Sequence, residues 1–100
     1  MSKMTKQAAQ EFLSNVSEEY SFYCCDGRFI RNLSELRDLL ANMTDAIFTY
    51  HSNRDKSDFS NWVKDIIGDE KLARDLSKAR SHRQALDAVA RRVTFLESRI

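Results

Sequence analysis

The sequence predicts an α+β domain, mainly helical, in which one β-hairpin packs against about five short-to-medium helices. Three observations predict it. Apolar residues recur at spacings of three and four over most of the chain, the period of a helix face. The one interruption is YSFYCCDGRFIRN, where β-favouring residues flank Asp26-Gly27. There is no proline and only two glycines, which favours helix over long irregular loops. One hundred residues suffice for a single modest core. Residues 1–100 therefore read as one domain, with a variable N-terminal helix at 1–19, the hairpin at 20–31 and a helical part at 32–100.

Each element has a local reason. Over 5–18, Ala8, Ala9, Phe12, Leu13 and Val16 share one helical face. Strands follow at about 20–25 and 28–31, joined at Asp26-Gly27, a dipeptide suited to positive φ in a two-residue hairpin turn. A lone hairpin is marginal in water, so helices must cover one of its faces. Asn32 with Glu35 three residues on makes a capping box for a helix whose stripe is Leu33, Leu36, Leu39, Leu40 and Met43. Thr44 reads as the next N-cap, with Met43 and Phe48 placed as a hydrophobic staple around a helix of about 45–52. SNRDKS is an exposed loop. Ser57 or Asp58 starts the next helix, Asp58 being the residue assigned the cap, and Phe59, Trp62, Val63, Ile66 and Ile67 face inward. Gly68 ends that helix as a left-handed residue, and Asp69 caps another with Leu72, Ala73, Leu76 and Ala79 inward. Ser81 and Gln84 form a second box, and the last helix carries Leu86, Val89, Val93, Leu96 and Ile100. Trp62 is expected in the core, its indole N–H bonded to a neighbour.

The chemistry the sequence offers is sparse. No apolar run approaches the ~18–20 residues that cross a bilayer, and MSKMTKQAAQEF has no apolar signal region, so no membrane role and a cytoplasmic location are expected. The adjacent Cys24 and Cys25 lack a C-x-x-C spacing and suit a reducing compartment, one facing the core and one facing out. A metal site would need Cys24, Cys25, His51 and His82 to converge, yet neither C-x2–4-C nor H-x3–5-H occurs, so no metal and no cofactor are expected. A cysteine nucleophile served by His51 and an Asp lacks any activating context, and no Gly-rich loop cradles phosphate, so no catalytic residue is named. His51, Asp58 and Trp62 form instead a candidate polar cluster, in which His51 ties the loop back onto Asp58.

Two further surfaces stand out. Residues 1–70 carry 8 Lys/Arg and 12 Asp/Glu, net −4, whereas residues 71–100 carry 8 Lys/Arg and 3 Asp/Glu, net +5. Lys71, Arg74, Lys78, Arg80, Arg83, Arg91 and Arg92 are thus candidate nucleic-acid contacts, with weak and nonspecific binding expected. The stripe Leu86, Val89, Val93, Leu96 and Ile100 has coiled-coil spacing, so it either self-associates into a homodimer or packs on the domain's own core.

These residues together resemble a prokaryotic family of small domains of unknown function, best represented in archaea. The resemblance is carried by Asp26-Gly27, Leu33-Ser34-Glu35-Leu36, Phe48 with Tyr50-His51, Lys56-Ser57-Asp58-Phe59, Trp62-Val63, and Ile67-Gly68-Asp69 followed by Leu72-Ala73. It spans about residues 22–95 and leaves out the first twenty residues and the Cys pair. It implies a domain found alone or appended to larger proteins, and it supplies no activity. The expected function is a non-enzymatic interaction module acting on an unidentified protein partner; weak nucleic-acid association is the alternative.

Overall fold

Side-chain caps decide where the helices begin. In the computed structural model, which describes residues 4–100, the Thr5 hydroxyl accepts the Ala8 N–H at 3.0 Å and opens α1 (Lys6–Leu13). Asn32 Oδ1 accepts the Glu35 N–H at 2.7 Å ahead of α2 (Leu33–Ala41), and Thr44 caps α3 (Asp45–His51) in the same way. Ser57 opens α4 (Asp58–Trp62), Asp69 opens α5 (Glu70–Lys78) and Ser81 opens α6 (His82–Glu97). Each cap satisfies an N–H that the helix itself leaves free. In both expected capping boxes the returning side chain reaches one residue further out: Glu35 accepts from the Arg31 N–H and Gln84 from the Arg80 N–H.

The hairpin is shorter than its sequence suggests. β1 (Phe22–Tyr23) pairs antiparallel with β2 (Phe29–Ile30), Phe22 opposite Ile30, while Glu18–Tyr20 is a 3-10 turn. The connection is a three-residue loop, with the Cys24 N–H bonded to the Arg28 carbonyl and the Gly27 N–H to the Cys24 carbonyl. Within this loop only Gly27 takes a positive φ, +95°, so Asp26 needs no left-handed backbone. Phe22 and Ile30 turn inward; Tyr23 and Phe29 turn out.

α6 is the centre of the packing, with α1, α2, α3 and α5 all laid against it. Its Val89, Val93 and Leu96 therefore have no exposed surface, and Leu86 is half-buried. Of the two roles open to the stripe, three of its five residues take the packing one and fill the domain's own core, while Ile100 stands outside. Met43 and Phe48 are both buried, as are Phe59 and Trp62, but Ile66 is only half-buried and does not join the centre. The α4 helix passes into a π-helical turn at Val63–Ile67 before Gly68, at φ +88°, ends it. α1 stops at Leu13, short of the expected 18, because Ser14 turns extended and Val16 instead hydrogen-bonds the Arg31 carbonyl beside β2. None of the helices in the described residues is long and apolar enough to cross a membrane.

Candidate functional site

The end of α3 and the start of α4 meet beneath the hairpin loop. His51 is buried at the last position of α3, its ring against Phe22 and Phe59 at 5.3 and 5.5 Å between centroids. The Cys25 backbone N–H donates to His51 Nε2 at 3.0 Å, so Nε2 carries the lone pair. The proton then sits on Nδ1, which donates to Asp58 Oδ2 at 2.9 Å. Lys56 Nζ lies 3.2 Å from the same carboxylate oxygen, and its ammonium also covers the Tyr50 ring. The expected link from His51 to Asp58 is therefore present. Asp58 is not the cap, however: that is Ser57, whose Oγ accepts the Ser60 N–H at 3.2 Å. Asp58 is the first helical residue and its carboxylate faces His51, which leaves the capping role to the smaller Ser57 hydroxyl. Trp62 is buried and its indole N–H donates to the Tyr20 carbonyl at 2.8 Å, which pins the 3-10 turn ahead of β1 to α4.

The two thiols join this cluster. Cys24 is buried and Cys25 exposed, and one ligand atom from each of Cys24, Cys25 and His51 lies within 4.8 Å of the others. The absence of a local ligand spacing does not keep these groups apart. A hairpin loop and a helix end 26 residues away bring them together. His82 takes no part; its ring nitrogens meet Asp45 and the Leu40 carbonyl. Burial pushes the Cys24 thiol up from its ordinary value, with the backbone of Asp26 pulling partly the other way. That favours the protonated thiol and makes Cys24 a poor nucleophile at neutral pH.

The basic residues of the C-terminal third lie in different surroundings. Arg92 is held inward: its Nε and Nη2 make a two-pronged bond to the buried Asp69 carboxylate at 2.7 and 3.0 Å. Lys71 pairs with Asp75 at 2.7 Å. Arg91 lies in a groove shared with Asp75 and Asp87, Arg83 beside Asp45 and Asp87, and Arg74 beside Glu70. Lys78 and Arg80 differ. With Arg54 from the exposed loop they line a cavity of about 800 Å³ whose walls hold no carboxylate.

Two features escape reading along the chain. The Asp69–Arg92 pair spans 23 residues, and its only signal is an Arg set beside the apolar stripe of the last helix. The outward Tyr23 and Phe29 rings, 5.9 Å apart, remain 62% and 55% exposed on adjacent strands. Alternation along a strand puts them there. No protein-family model, curated protein or solved structure matches the chain.

Proposed function

We propose that this protein is a non-enzymatic interaction module that works through protein–protein contacts made by the outer face of its hairpin. The observation that carries this reading is the Tyr23–Phe29 pair, two large rings held in water on a two-stranded sheet. Phe29 continues into a groove with Ile30 and Leu39, and its rim holds Glu35 and Asp38 against a single Arg28. That Arg28 is already paired with Asp26 at 2.6 Å. An apolar floor with a net acidic rim fits a partner segment that presents an apolar side chain beside a lysine or arginine.

A display library of short random peptides, selected on the immobilised protein, tests this. Apolar–basic peptides should be enriched, and their binding should disappear in Phe29→Ser, an exposed change that leaves the core intact. No enrichment, or enriched peptides that bind the Phe29→Ser protein equally well, would sink the reading.

The carboxylate-free cavity of Arg54, Lys78 and Arg80 favours a second reading, weak and nonspecific association with nucleic-acid phosphate. Gel shifts from low to ~150 mM salt should show binding that fades as screening rises. Submicromolar affinity at the higher salt would rank this reading above the first.

A further inference from the structure

We infer that Cys24, Cys25 and His51 form a binding site for a single thiophilic d10 metal ion, zinc(II) or copper(I). The ligand set is two thiolates and one imidazole, the soft-to-borderline donors these ions select. Three observations carry it beyond the presence of two cysteines. The first is convergence, since the three ligand atoms already lie within 4.8 Å of one another. Bonds of about 2.3 Å to sulfur and about 2.0–2.1 Å to nitrogen set such atoms roughly 3.5–3.8 Å apart in a tetrahedron. The donors therefore need to close by only about 1 Å.

The second observation is the state of the imidazole. Its Nδ1–H donates to Asp58 at 2.9 Å, and its Nε2 lone pair faces the cysteine loop. A carboxylate behind the far nitrogen is the arrangement that orients a metal-binding histidine and raises the basicity of the nitrogen that binds. Here the aromatic packing of His51 on Phe22 and Phe59 fixes the ring as well.

The third is the loop. In the metal-free protein the lone pair accepts the Cys25 N–H. On binding, Nε2 exchanges that donor for the ion, and the released N–H lies on an exposed residue where water replaces it. The two thiol protons leave to solvent as the sulfurs become ligands. Because Cys25 is exposed, a fourth coordination position opens outward, available to water or to a donor from another molecule.

The test uses the full chain under a reductant that does not bind metal, with zinc(II) and copper(I) titrated separately against chromogenic chelators. Cobalt(II) serves as a spectroscopic probe. Uptake of one ion per chain is expected from zinc, copper or both, with a thiolate-to-cobalt charge-transfer band and the visible bands of a tetrahedral centre. The arm that binds more tightly identifies the ion. Cys25→Ser, an exposed substitution that leaves the fold intact, should abolish the charge-transfer intensity from that sulfur and weaken uptake. Asp58→Asn should weaken it by about 10–100-fold while keeping the stoichiometry. Uptake weaker than micromolar for both ions, half an ion per chain, or affinity unchanged in Cys25→Ser would each overturn the inference.

Discussion

Single side chains in this protein carry weight in proportion to how completely they leave water. Asp69 is 1% exposed, accepts the Leu72 N–H as the cap of α5, and receives both prongs of Arg92. Removing the arginine leaves a buried carboxylate without its counter-charge, so Arg92→Ala should cost about 3–5 kcal/mol in urea denaturation at neutral pH. A loss below about 1 kcal/mol would mean the pair is effectively solvated. Asp26 is the opposite case, an exposed carboxylate with a strong local partner. The Arg28 side chain first, and its backbone N–H second, hold the Asp26 carboxyl down to about 2 from an ordinary 3.8. Since protonation is harder in the folded state, the turn's stabilisation is present above about pH 4 and is lost as the pH falls towards 2. Carboxyl-detected NMR titration of the reduced, metal-free protein should place the Asp26 midpoint near 2, and Arg28→Ala should raise it only part of the way to the ordinary range, because the backbone N–H of residue 28 still donates to the carboxylate. A midpoint near 3.8 in the native chain would show that the pair does not persist in solution.

At the level of elements, the turn between the π-helical segment and α5 is one of two places in the described residues where the backbone turns left-handed. Gly68 sits at φ +88°, and a Cβ placed there would meet only Phe12 Cε1, at an ordinary 4.0 Å. The obstacle to any other residue is therefore the backbone itself. Gly68→Ala should cost about 1–2 kcal/mol, the strain of a left-handed residue with a side chain, and thermal melts would measure it. An unchanged melting temperature would imply that the junction relaxes out of that conformation. The hairpin shows how turn chemistry and pairing interact: a glycine in the left-handed region at the third loop position selects the three-residue connection. This sets the pair Tyr23 and Phe29 on the outer face and leaves Cys24 pointing in.

The molecule as a whole is organised around its last helix. α6 receives α1, α2, α3 and α5, so the C-terminal turns close the core rather than extend from it. Deleting residues beyond Ala90 would remove Val93 and Leu96, neither of which has any exposed surface. Burial of such side chains is worth ~1.5–3 kcal/mol each, and small domains hold only ~5–15 kcal/mol in total. The truncated chain should therefore show no cooperative melt by circular dichroism. A truncated chain that still melted cooperatively, and lost only a dimer, would restore self-association as the role of the stripe. Trp62→Ala strikes the same core from the other side and should cost about 3–5 kcal/mol, partly through loss of its bond to Tyr20.

The sequence by itself determined whatever rests on a few neighbouring residues. The starts of α1 through α6 follow from Thr, Asn, Ser and Asp side chains that bond N–H groups three positions on. The end before Asp69 follows from a glycine, and the burial of Phe48, Phe59 and Trp62 from their period. Even there, local chemistry left Ser57 and Asp58 open as the cap, since both residue types can fill that position. Only the tertiary structure decided between them, because His51 claims Asp58. It also decided that Arg92 faces Asp69 rather than solvent, that Val89, Val93 and Leu96 of the last apolar stripe pack into their own domain, and that two thiols and an imidazole share one corner. Each of these joins groups more than twenty residues apart or depends on which helix covers which face. Periodicity says that a face is buried, but the partner that buries it is selected by packing the whole chain at once.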